Sequence, residues 1–170
     1  LNRLSPQGSL HAVDRDQEAV SYGKDKIKDS RFSIYHSNYS EIDSLFPQQQ
    51  FDGILLDLGT CSTHLDDPMR GFSFQSDGPL DMRMDTSSGF SAAEWLNSST
   101  EKEISDILYE YGDEKASRKI AKAIVEYRAT RFMETTIELT KTIETVLKRT
   151  GKIHPATKSF QAIRIHVNNE

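Results

Sequence analysis

The sequence predicts an α/β fold with a parallel sheet, and three observations carry that expectation. Strand and helix signals alternate through the first sixty residues. The apolar run Ile54-Leu55-Leu56 within residues 51–58 reads as a strand buried on both faces, as parallel strands are. From Ser91 onward every periodic segment reads as helix. Strands alternating with helices of about ten residues imply βαβ units.

The elements follow in chain order. Leu10-His11-Ala12-Val13 is a short apolar run ending at Asp14. A helix covers residues 17–27, with Asp16 as its N-cap. Phe32-Ser33-Ile34-Tyr35 alternates as a strand does, and Ser40 caps a short segment through Phe46. Residues 51–58 form the clearest strand. Residues 59–89 are then rich in Gly, Ser, Asp and Pro, and so long a loop in a compact domain is usually functional. Ser91 caps residues 92–96, and Thr100 with Glu103 makes a capping box for a helix through Tyr111 that Gly112 stops. Further helices cover about 114–128 and 136–149. Gly151 ends the second of these, and His154-Pro155 opens the last segment.

The 170 residues suit one domain, or one domain with an insertion. No stretch approaches the roughly 18 apolar residues of a membrane helix, so no membrane partner is expected. Cys61 is the only cysteine, which excludes an intrachain disulfide and fits a reducing, cytoplasmic setting. The net charge of −5 hides an asymmetry. Residues 1–114 carry 9 basic and 21 acidic side chains, a net −12, whereas residues 115–170 carry 12 basic and 5 acidic, a net +7. An acidic part joined to a basic part suggests two tasks, one involving a polyanion; a solvated Lys/Arg-rich helical surface is the plain alternative.

Several residues carry chemistry. Ligands of doubly wound sheets bind outside the carboxyl ends of the strands. Asp14 sits there, suited to accept hydrogen bonds from ribose hydroxyls, while Asp16 is better placed to cap the helix. Asp57 ends the run of residues 51–57 ahead of Gly59 and several small polar groups, where a strand-end turn is the alternative. Cys61 reads as a small buried filler. In the loop, Phe72, Phe74, Met82 and Met84 alternate with polar residues. They form either a satellite core or a lid whose aromatics stack a base, with Asp81 and Arg83 as polar contacts. His64 with Asp66 and Asp67 matches no standard metal spacing, and no metal is expected. On the helix at 114–128, Ala116, Ile120, Ala123, Ile124 and Tyr127 share one face, and Lys115, Arg118, Lys119 and Lys122 form a separate stripe able to follow a phosphate backbone.

These residues resemble the MraW-type methyltransferases. The resemblance rests on Asp14-Arg15-Asp16, residues 51–59, Arg70-Gly71-Phe72-Ser73, and Asp77-Gly78-Pro79-Leu80-Asp81-Met82-Arg83-Met84-Asp85. Tyr111-Gly112-Asp113-Glu114 and His154-Pro155-Ala156-Thr157-Lys158-Ser159-Phe160-Gln161-Ala162 also belong to it, with Arg164 and Val167-Asn168-Asn169-Glu170. It implies transfer of a methyl group from S-adenosylmethionine to N4 of a cytidine in the decoding region of 16S ribosomal RNA. The implied partner is the RNA or the small ribosomal subunit; a homodimer is left open.

The resemblance implies a partial Rossmann-like class I methyltransferase core over residues 1–63 and an inserted all-helical, RNA-recognition domain over 64–158 with a long lid-like loop at 64–90. A helix at 159–170 returns to the core. It makes Asp14 the ribose ligand, places Tyr39 beside the adenine and Asp57 near the adenine or the reacting end, and gives position 64 a cofactor contact. That position is often Gln in the family and is His64 here. Asp57 and Asp81 are the candidate catalytic proton acceptors. The family's first strand and glycine loop are expected ahead of Leu1 and its later strands after Glu170, so the chain is expected to be a fragment that binds cofactor weakly. The rival readings are a nucleotide-dependent oxidoreductase, whose glycine fingerprint is missing ahead of Leu10, and a non-catalytic RNA- or protein-binding module.

Overall fold

The computed structural model describes residues 1–149 and 151–170. The chain divides into two compact units, Leu1–Asp57 with Met84–Ser87, and Leu58–Arg83 with Ser88–Glu170.

The first unit is built on one βαβ turn. Strand β1 (Leu10–Asp14) leads through helix α1 (Gln17–Lys26) to strand β2 (Phe32–His36), which pairs with β1 in parallel, Leu10 opposite Phe32 and Asp14 opposite His36. Asp16 caps α1 as expected, its carboxylate accepting the Glu18 amide at 2.8 Å. Helix α1 packs on the sheet through Gly23, where an added Cβ would lie 3.0 Å from the Ile34 side chain. The opposite face carries His11 and Tyr35, over which Phe46 and Phe51 set their rings edge-on at 5.1–6.2 Å. A short 3₁₀ turn (Tyr39–Glu41) and helix α2 (Ile42–Leu45) bring Phe46 there.

Residues 51–58 depart from expectation. They form no strand, and Ile54, Leu55, Leu56 and Leu58 are exposed, Leu55 by 92%. An apolar run supplies propensity, but a strand exists only where a neighbour accepts its hydrogen bonds. Among the described residues the sheet has two strands, and neither pairs with this run.

The second unit is helical. Helix α3 (Ser62–Asp66) and a 3₁₀ turn (Pro68–Arg70) are followed by α4 (Ala92–Ser98), α5 (Glu101–Glu110), α6 (Ser117–Arg128), α7 (Thr136–Val146) and α8 (Thr157–Asn168). Capping boxes start α4 at Ser91/Glu94, α5 at Thr100/Glu103 and α7 at Thr135/Glu138. Helix α6 begins three residues later than expected because Glu114 folds back to accept the Ala116 amide at 2.9 Å. The apolar stripes of α4–α8 meet in one core that includes Leu96, Leu108, Ile124, Leu139 and Ile163, all fully buried. Leu80 and Met82 from the long loop join that core.

Candidate functional site

In the first unit, Asp14 is the last residue of β1, and Tyr39 follows the carboxyl end of β2 by three residues. Asp14 ends β1, and its carbonyl accepts the Ser37 amide at 3.1 Å, which ties the segment after β2 to it. Its carboxylate uses Oδ1 to accept the Asp16 amide at 2.8 Å. The second oxygen, Oδ2, has no protein donor among the described residues. Asn38 caps the turn that begins at Tyr39 by accepting the Ser40 amide at 3.0 Å, and the Tyr39 ring is 47% exposed. A carboxylate oxygen free to accept and an exposed aromatic face are groups that a ribose and a base can use. Asp57 closes the first unit with its carboxylate exposed.

His64 and Asp81 belong to the second unit. His64 is only 6% exposed, and its ring stacks on Phe72 at 4.9 Å. Phe74 stacks on His154 at 4.5 Å and meets the edge of Phe160 at 5.2 Å. Both phenylalanines are therefore spent on packing. Of the two expectations for the alternating loop residues, the packed one describes them. Cys61 departs from expectation: it is exposed, with Sγ 2.8 Å from the Thr63 hydroxyl.

Asp81 and Arg83 form a two-pronged ion pair, Arg83 Nε donating to Oδ1 and Nη2 to Oδ2, each at 2.8 Å. Burial pushes the Asp81 carboxyl up, but the Arg83 hydrogen bonds and charge outweigh it and hold the group below the usual carboxylate range.

The segment around Asp81 is held by main chain. The Ala92 amide donates to the Asp81 carbonyl at 2.7 Å, Leu80 N–H to Glu134 at 2.8 Å, and Met82 N–H to Arg70 at 3.0 Å. Thr136 donates its hydroxyl to the Ser76 carbonyl and accepts the Gly78 amide, while Asn168 donates to the Met82 carbonyl at 2.7 Å. Gly71, at φ 73°, sits where a Cβ would lie 2.3 Å from the Pro79 carbonyl, and at Gly78 it would lie 2.0 Å from that of Pro68. Thr136 and Asn168 escape the sequence reading because a polar residue on a helix gives no sign of the distant carbonyl it will reach.

The profile of the MraW methylase family matches residues 1–170. The chain belongs to that family. Ribosomal RNA small subunit methyltransferase H of Ruthia magnifica subsp. Calyptogena magnifica is 46% identical over 174 residues, covering all of this chain and 57% of that protein. The protein of that name from Xylella fastidiosa (strain M23) is 48% identical over 177 residues, covering all of this chain and 56% of its relative. That from Xanthomonas axonopodis pv. citri (strain 306) is 48% identical over 172 residues, covering 50% of its relative. This MraW-family chain thus spans about half the length of the curated relatives it matches. Among its described residues, no helix is long and apolar enough to cross a membrane.

Proposed function

We propose that this chain is part of an S-adenosylmethionine-dependent ribosomal RNA methyltransferase acting on the exocyclic N4 of a cytidine in the decoding region of 16S RNA. The observation that carries the reading is Asp14, a carboxylate at the carboxyl end of a parallel strand with one oxygen committed to the backbone and the other available. Family membership and the names of the relatives support it. The accompanying architecture is a Rossmann-like class I core over residues 1–63 with a helical insertion over 64–158 and a return helix at 159–170.

The residues present fit the cofactor in chemistry: Asp14 Oδ2 accepts from ribose hydroxyls, and the exposed Tyr39 ring flanks the adenine. Bound S-adenosylmethionine supplies a methyl group activated on a sulfonium. Asp57 and His64 are proposed as further cofactor contacts, each open to its own substitution. A cytosine amine is a poor nucleophile because its lone pair is delocalised into the ring. Asp57, an exposed carboxylate, would accept a hydrogen bond from the amine and so localise that pair; as the N–C bond forms, the methyl's bond to sulfur would break with its pair left on a neutral thioether, and Asp57 would take the proton the amine loses. Arg83 stabilises the charged form of Asp81, which makes Asp81 a poor proton acceptor. We assign it the positioning of Arg83 and of the backbone around Met82.

The test is methyl transfer by the full-length protein to 16S RNA and to isolated small subunits, with the product nucleoside identified by mass spectrometry. N4-methylcytidine is expected. Asp57→Asn is expected to lower kcat by about 100-fold or more with cofactor affinity within a few-fold. Absence of transfer to either substrate would overturn the reading, and wild-type turnover in Asp57→Asn would remove that residue from it.

A further inference from the structure

Most cations with partners in this chain have them close by. Arg31 pairs with Asp29, Arg83 with Asp81, Lys102 with Asp106, Lys122 with Glu126 and Arg164 with Glu170. Lys24, Lys26 and Lys141 are exposed with no carboxylate within 4.0 Å among the described residues, and one region gathers six more such cations. Lys115, Arg118, Lys119, Lys148, Arg149 and Lys152 are all exposed, and none has a carboxylate within 4.0 Å among the described residues.

The topology gathers these six. The carboxyl end of α6 meets the start of α7: Arg131 lies over the Tyr127 ring at 4.7 Å and 4.0 Å from the Glu138 carboxylate. The two helices therefore run back along each other, which returns the end of α7 to the start of α6. Helix α8 begins at this same end, where Lys158 Nζ donates to the Asp113 carbonyl at 2.8 Å, just ahead of α6. The local carboxylates are mostly occupied. Asp113 pairs with Lys158, Glu144 lies 3.3 Å from His154, and Glu114 is buried, accepting the Ala116 amide. Glu110 alone is exposed without an ion pair among the described residues. Helix geometry spreads Arg118, Lys119 and Lys122 over one stripe of α6, with Lys115 two residues ahead of its start, and Ile120, Ala121 and Ile124 turn inward.

We propose that this end of the helical unit is a binding surface for an RNA phosphate backbone, engaged through the six unpaired cations. Unpaired surface cations gain nothing from the fold and repel one another, whereas a polyanion neutralises them and releases its own counterions. The six side chains carry no fixed base-reading geometry, so the surface supplies affinity and register rather than sequence choice. The inference rests on the RNA-methyltransferase reading for the identity of the polyanion.

The test measures affinity of the full-length protein for a 16S-derived RNA hairpin by filter binding across salt concentration. Lys115→Gln/Arg118→Gln/Lys119→Gln and Lys148→Gln/Arg149→Gln/Lys152→Gln are compared with Lys24→Gln/Lys26→Gln/Lys28→Gln, which removes equal charge from the first unit. Each of the first two variants is expected to flatten the slope of log affinity against log salt by about 2–3 and weaken binding about 10–100-fold at moderate salt. The third is expected to stay within about twofold of wild type, and all three to keep the wild-type Tm because these side chains are exposed. Unchanged slopes in the first two, an equal loss in the third, or displacement of the RNA by polyglutamate at equal charge would overturn the proposal. Wild-type methyl transfer is scored alongside: RNA binding that depends on these cations without any transfer sinks the enzymatic reading and leaves the surface standing.

Discussion

The two units are stabilised in opposite ways. Among the described residues, the helical unit buries eighteen hydrophobic residues in one contiguous core, whereas the unit holding Asp14 and Tyr39 buries only Val20, Phe46 and Met84. The first unit leans instead on a two-stranded ladder, one aromatic cluster and the Asp16 cap. Buried apolar packing thus concentrates in one unit, and the proposed ribose and adenine contacts, Asp14 and Tyr39, lie in the other. A residue that contributes to one should be nearly silent in the other.

Substitutions test that separation, from the largest expected effect downward. Ile124→Ala, deep in the helical core, is expected to cost about 3–4 kcal/mol, seen as a drop in the denaturant midpoint of the helical transition. Gly71→Ala is expected to cost at least about 2 kcal/mol, because positive φ and the Pro79 carbonyl both oppose a Cβ; rapid protease nicking within residues 71–83 would report it. Thr100→Ala removes the cap on α5 and is expected to cost about 1 kcal/mol, with Thr100→Ser restoring most of it. Asp14→Asn is expected to leave the helical transition where it is; a shift as large as that of Ile124→Ala would dissolve the contrast between the units.

The Asp81–Arg83 pair gives a finer test through pH. Asp81 is held below its ordinary value, so its stabilisation is fully present above about pH 4 and disappears as pH falls through the lower folded value. Wild type is expected to lose stability more steeply than Asp81→Asn in that acid range, and the two curves to run parallel near neutrality. Equal slopes in acid would detach the pair from the fold.

The sequence was most informative where structure is local. Ser91/Glu94 and Thr100/Glu103 specify their helix starts within four residues, so α4 and α5 begin where expected. Asp16 caps α1 as read, and Asp14 ends the strand before it. Residues 51–58 show the limit, since a strand is a relation between segments and an apolar run cannot name its neighbour. The long loop shows it again. Phe72 and Phe74 look available in a Gly- and Ser-rich stretch, but close approaches at Gly71 and Gly78 and bonds from Thr136 and Asn168 fold the loop onto the helices, and those partners lie far away in sequence.

The most direct test of the account is titration of S-adenosylmethionine into the full-length protein and its Asp14→Asn variant, followed by heat. Wild type is expected to bind saturably, with Asp14→Asn weakened by about tenfold or more while its Tm stays unchanged. Equal affinity in the two proteins would contradict the placement of the cofactor ribose on Asp14, and with it the central claim.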